Sequence, residues 1–217
     1  MAELRTEEEQ VQAIKDWWKK NGSSLLIGIG AALAIVFGWQ AWQNHQAQER
    51  AEAANQFATL LSAFSSGGEG SNDTIEFVAE SLRNEHGSSA YAIYGNLVLA
   101  RQQMMVQKDP EAAIESLQWS LEQASDYNAL SLVIRNRLAI AQFAAGQHEA
   151  ALATLDGAGD AKAFDAVFSE LRGDILMAMG DTDGAREAYL AAREQGQASG
   201  GDLLELKLSD LGVGEGA

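Results

Sequence analysis

Polar residues disappear from the chain between Leu25 and Ala41. In "LLIGIGAALAIVFGWQA" Gln40 is the one residue that is neither apolar nor glycine. A run with no polar face is out of place at a surface in water. Wound as a helix, residues 23–43 reach about 31 Å, which matches the hydrocarbon core of a bilayer. Trp17 and Trp18 precede the run, and Trp39 and Trp42 lie at its far end, where indoles settle at two headgroup levels. A helix buried in a soluble core gives no reason for that placement. The run is too long for the apolar part of a cleaved export signal, Glu7, Glu8 and Glu9 precede it, and no small-x-small cleavage site follows promptly. The pattern predicts a signal-anchor that stays in the membrane.

Orientation follows from the basic residues. Lys15, Lys19 and Lys20, with Arg5 further out, precede the run, and only Arg50 follows it closely. Such a bias places the N-terminus in the cytoplasm and residues 44–217 outside. Residues 1–22 are expected to form a separate amphipathic tail. Thr6-x-x-Glu9 resembles a capping box, Val11, Ile14 and Trp17/Trp18 recur at near-helical spacing, and Asn21-Gly22 reads as a stop. Ser23 or Ser24 would then cap the membrane helix. Within the span, Gly30, Ala34 and Gly38 recur every four residues, a small-residue face that another membrane helix could approach closely.

Beyond the membrane the pattern changes to amphipathic helices with a repeat. "LAIAQFAAGQHEAALATLDGA" (138–158) aligns with "RGDILMAMGDTDGAREAYLAA" (172–192). Ala139 matches Gly173, Gly146 matches Gly180, Ala151 matches Ala185, Leu155 matches Tyr189 and Ala158 matches Ala192, each pair 34 residues apart. That period is the tetratricopeptide length. The small residues let paired helices close, the middle glycine turns the chain, and the large residue fills the gap between repeats. The best units span 132–158 and 166–192. A looser unit, 99–124, turns at Lys108-Asp109-Pro110, and another helix pair turns near His86–Ser89. Residues 47–64 continue helically from the membrane to the break "SSGGEGSND", and "GDLLELKLSDLG" reads as a capping helix. The expected fold is all-α: a single transmembrane helix followed by a tetratricopeptide-repeat-like α-solenoid.

Charge narrows the partners. Thirty-one acidic residues face 15 basic ones, for a net charge of −16; such a chain repels a phosphate backbone, so no nucleic acid is expected to bind. The absence of cysteine removes disulfides, thiolate metal sites and a thiol nucleophile. His45, His86 and His148 are scattered, "GDTDG" (180–184) lacks the spacing of a calcium loop, and no nucleophile elbow or phosphate loop occurs. No catalytic, cofactor or metal site is expected, and the chain does not read as an enzyme. A protein-binding groove is the candidate instead. Repeat register places Val133, Asn136, Ile140 and Phe143 on one inner face and Glu170, Asp174 and Met177 on the next. This surface is apolar and acidic, without a basic cluster; the alternative, which carries more weight, is that Ile140, Phe143 and Met177 are simply core. Met104, Met105 and Trp119 read as core.

The stretch "TEEEQVQAIKDWWKKNGSSLLIGIGAALAIVFGWQAWQ", above all "EEEQV…WWKKNG", resembles the opening of the YfgM family, and "LLELKLSDL" resembles its ending. That family is the ancillary subunit of the Sec translocon of Gram-negative bacteria. The resemblance implies a short cytoplasmic tail, one inner-membrane span and a periplasmic tetratricopeptide-like domain. It further implies association with SecYEG and with the membrane-anchored periplasmic chaperone PpiD, assistance to exported unfolded proteins, and in some members a link from the tail to a cytoplasmic response regulator. A scaffold of another envelope assembly, or a regulator acting through the tail, are the alternatives the residues leave open.

Overall fold

Why the stop signal at Asn21-Gly22 does not stop a helix is visible in the computed structural model, which describes residues 7–68, 70–124, 128–159, 161–196 and 201–213. Helix α1 runs unbroken from Glu7 to Ser66. The Asn21 amide does not cap a terminus; its Nδ2 donates to the Trp17 carbonyl at 3.0 Å, one turn back. Trp18 lies against Gly22, so that a Cβ there would stand 3.1 Å from the indole. Glycine in mid-helix costs about 1 kcal/mol, and here the indole packs into the space it leaves. Contrary to the expected break, the helix continues through Asn21-Gly22, and neither Ser23 nor Ser24 caps a new one. Arg5 and the capping box at Thr6 lie outside the described residues.

The chain divides into two compact units, residues 1–52 and 53–217. In the first, the apolar side chains of α1 have no protein over them: Ile27 and Ile35 are each 72% exposed and Phe37 is 64% exposed. Trp39 and Trp42, one turn apart, bring their rings within 5.0 Å of each other.

The second unit is built from helices that pack on their sequence neighbours. The end of α1 meets α2 (Ser71–Glu85) and α3 (Ala90–Gln102) around Leu60, Ile75, Leu82 and Leu99. Helices α3, α4 (Pro110–Gln123) and α5 (Asn128–Ala144) close on Ile93, Leu117, Ile134 and Leu138. Helices α5, α6 (His148–Asp156) and α7 (Asp165–Met179) share Ala139, Leu155, Phe168 and Ile175. Finally α8 (Thr182–Glu194) and α9 (Gly201–Asp210) bury Tyr189, Leu204 and Leu208. Among the described residues there is no strand. His86 sits in the α2–α3 turn but is buried, with 8% of its surface exposed.

The repeat period has a physical counterpart in the turns. Gly146 and Gly180, at φ 75° and 84°, occupy the left-handed region that a side chain disfavours. After α5 the Gly146 N–H donates to the Phe143 carbonyl at 3.0 Å and the Gln147 N–H to Gln142 at 2.8 Å. After α7 the same two bonds run from Gly180 to Met177 at 3.0 Å and from Asp181 to Leu176 at 2.9 Å. Asp181 then caps α8 by accepting the Gly184 N–H at 3.0 Å.

The helix crossings also repeat, with compensation. Ala139 is fully buried beside α6, which carries Leu155 at the matched position. In the next unit the large residue is Tyr189, and a Cβ on Gly173 would collide with its ring. The smaller residue on one helix is set by the larger one on the other. Gly173→Ala is therefore expected to destabilise the full-length chain by about 1–3 kcal/mol through overpacking. Chemical denaturation in detergent micelles measures the cost, and the double-mutant cycle with Tyr189→Leu is expected to recover most of it.

Candidate protein-binding surface

The seven groove residues do not form one open acidic surface. Val133 and Asn136 are half-buried, and the Asn136 Oδ1 is buried without a hydrogen-bond partner. Phe143 packs into the α5–α7 core and lies 5.6 Å from the His148 ring. Ile140 and Met177 reach the surface, at 41% and 38% exposure. The membrane-segment positions Gly30, Ala34 and Gly38 lie on one face of α1; Ala34 is exposed, and a Cβ on either glycine would meet nothing within 4 Å.

Glu170 and Asp174 are committed to a cation. From α9, the Lys207 Nζ donates to the Glu170 Oε1 at 2.9 Å and approaches Asp174 Oδ1 at 2.7 Å. The Tyr189 hydroxyl donates to the same Asp174 oxygen at 2.8 Å, and Nζ stands 5.5 Å from the Tyr189 ring centre. One turn separates Glu170 from Asp174 on α7, so a single ammonium reaches both. Burial alone lowers the Lys207 pKa, but hydrogen bonds to Asp174 and Glu170 and their charges outweigh it and hold the ammonium above its ordinary value. Burial first, then the bond to Asp174, pushes the Tyr189 phenol well above its ordinary range. Part of the acidic face expected from register is taken up as a seat for the last helix, with one ammonium shared by two carboxylates, and Lys207 is a participant that sequence reasoning missed.

A different cleft opens between α3 and α5. It has a volume of about 230 Å³ and is lined by Arg101, Met104, Met105, Leu117, Arg137 and Ile140. Of the seven expected groove residues, only Ile140 reaches it. Its wall is shaped by an irregularity: Gln103–Gln107 winds as a π-helix. The wide turn is held where Gln103 accepts the Ser116 hydroxyl at 2.9 Å through Oε1 and the Asp109 N–H at 2.9 Å through its carbonyl. Lys108 follows in the left-handed region at φ 58°. Met105 and Val106 are thereby 62% and 60% exposed, so Met105, expected in the core, is a surface residue. Trp119 is half-buried against the first core, under the Arg83 guanidinium. Spacing carried a signal for the cleft: Arg101, Met104 and Met105 lie at i, i+3 and i+4, and Arg137 and Ile140 at i, i+3.

Both raised pKa values have one consequence. The fold binds these protons more tightly than the unfolded chain, so their stabilisation is complete below about pH 10, the ordinary value of both groups, and is lost as pH rises through the raised values. The thermal midpoint of the second unit, followed by circular dichroism on the full chain, is expected to hold from neutrality and fall at alkaline pH. Lys207→Met is expected to cost about 1–3 kcal/mol at neutral pH by removing the cation from two adjacent carboxylates, of which Asp174 keeps the Tyr189 hydroxyl, and to remove the lysine's share of the alkaline decline.

Residues 15–213 match the family model described as a tetratricopeptide repeat-like domain. Among curated proteins, an ancillary SecYEG translocon subunit of Haemophilus influenzae is 31% identical over 97% of this chain and all of its own length. The protein of the same name from Escherichia coli is 31% identical over 95% of this chain and 97% of its own. That of Aggregatibacter actinomycetemcomitans is 30% identical over 97% and 100%. An apolar helix long enough to cross a membrane and relatives of this name fit a single-pass inner-membrane protein. With repeat period, turn geometry and near-complete alignment in agreement, the chain belongs to the tetratricopeptide repeat-like family of ancillary SecYEG translocon subunits.

Proposed function

We propose that this chain is a non-enzymatic accessory of the Sec translocon, held in the inner membrane by α1 with residues 1–22 in the cytoplasm and the helical repeats in the periplasm. The observation that carries the reading is the alignment with ancillary SecYEG translocon subunits at 31% identity over 97% of the chain. Lys15, Lys19 and Lys20 on one side of the apolar run, against Arg50 on the other, support the orientation. Residues 23–43 serve as the span, and Gly30, Ala34 and Gly38 offer a face for close approach by a helix of the channel. The repeats supply a polypeptide-binding surface to newly exported, unfolded proteins, and link the channel to a periplasmic chaperone of the PpiD type. Their construction suits this role, because stacked helix pairs leave one helix of each pair available along an extended surface.

Two measurements test the reading. Affinity purification of the full chain in mild detergent is expected to recover SecYEG components; recovery of other envelope machinery without any Sec component would refute the association. Because the chain has no cysteine, single substitutions report its topology. A membrane-impermeant maleimide is expected to label Glu187→Cys in cells with a permeabilised outer membrane, and Gln12→Cys only after the inner membrane is broken. The reverse pattern overturns the orientation.

A further inference from the structure

The cleft between α3 and α5 has a charge opposite to that of the chain around it. The protein carries 31 acidic and 15 basic residues, yet among the described residues the two charged ones lining this cleft are Arg101 and Arg137. Neither guanidinium meets a carboxylate among the described residues. Arg101 lies with its Cζ 5.1 Å from the Phe64 ring centre; stacking of this kind engages the guanidinium face and leaves its edge donors available. Between the arginines the lining is apolar and includes Met104 and Met105, whose unbranched side chains adapt to differently shaped partners.

We propose that this cleft is a docking site for an acidic, apolar polypeptide segment of a partner protein. One or two large apolar side chains of the segment enter between Met104, Met105 and Ile140, and flanking carboxylates pair with Arg101 and Arg137. The proposal rests on the reading of the chain as a protein-binding accessory and specifies the chemistry of what it binds. At about 230 Å³ the space is smaller than the roughly 300–1,000 Å³ of typical small-molecule pockets and suits side chains. An apolar centre with arginine at its edge has the make-up of a protein interface rather than of a solvated face. The π-helical turn strengthens the case. It departs from regular winding where the cleft is walled, as such turns do at functional sites, and it exposes Met105 at 62% rather than burying it. Beside it Gln102 is 2% exposed with neither amide atom hydrogen-bonded, so this irregular wall carries a polar desolvation cost. A net charge of −16 over the whole chain disfavours acidic segments in general, so the two arginines set this cleft apart.

The test uses the full-length chain in detergent micelles and two short fluorescein-labelled peptides. Both carry Leu and Phe one helical turn apart; one flanks them with glutamates, the other with lysines. Fluorescence anisotropy is expected to show the glutamate peptide binding at least about tenfold more tightly, with a preference that weakens as salt is raised. Arg137→Glu, at an exposed position, is expected to reverse the preference, and Met105→Glu to weaken both peptides. Equal binding of the two peptides to the unmodified chain overturns the proposal, as does unchanged glutamate-peptide affinity in Arg137→Glu. Vesicles containing phosphatidylglycerol form a further arm: Arg137-dependent binding to them without peptide binding assigns the cleft to a lipid headgroup and refutes a polypeptide occupant. SecYEG recovery is scored separately on the same variants. Failure to recover it with peptide binding intact removes the translocon role and sustains the cleft; the opposite outcome removes the cleft and leaves the role.

Discussion

Two helices come closest where one of them gives up side-chain volume to the other, and the crossings of the two best repeat units are arranged around that constraint. Ala139 yields to Leu155 in one pair, and Gly173 yields to the larger Tyr189 in the next. The left-handed glycine turns at Gly146 and Gly180 bring the second helix back at the angle the crossing requires. From there the cores follow in series, each shared by sequence neighbours. Stability in such an array is a sum of local terms, so a surface residue can be specialised in one pair without disturbing a distant one. The membrane segment lies under a different constraint. In α1 the apolar side chains around Ile27 and Ile35 have no protein covering them, and a bilayer core is the solvent that suits them.

Features whose cause is local were legible in the sequence. Small residue, turn glycine and large residue recur at fixed spacing because each answers a neighbour within one helix pair, and the apolar run is readable because a bilayer tolerates no polar face. The break expected at Asn21-Gly22 failed for a reason equally local but not visible as a pattern: the asparagine amide bonds to the Trp17 carbonyl, and Trp18 packs over the glycine. In the candidate groove the hidden element is a partner from far along the chain. Lys207 reaches Glu170 and Asp174 across 37 and 33 positions of sequence, with no periodicity to announce it. Register placed the carboxylates correctly on one face but could not show that a lysine sits on them. Met105 reads as core in the sequence, and the π-helical turn leaves it at the surface.

The cations of the repeat unit divide between two uses. Lys207 is spent inside the fold, where its charge is matched by two carboxylates and its position is fixed by Tyr189. Arg101 and Arg137 are left beside an apolar cleft. Two guanidiniums at one opening stand against the acidic balance of the chain, and such contrast decides partners more than it decides affinity.

The seat of Lys207 also bears on how the chain avoids threading itself wrongly. Counting back one 34-residue unit from Glu170, Asp174 and Tyr189 gives Asn136, Ile140 and Leu155. The internal unit thus has the same helical surface but none of the three groups that receive the lysine. During folding α9 could meet that surface as a near-copy of its proper berth. Docked there, the ammonium would lose water and gain neither carboxylate nor phenol, an outcome that desolvation alone makes unfavourable. The ion pairs that hold the closing helix are thus available at the last unit and not one period before it.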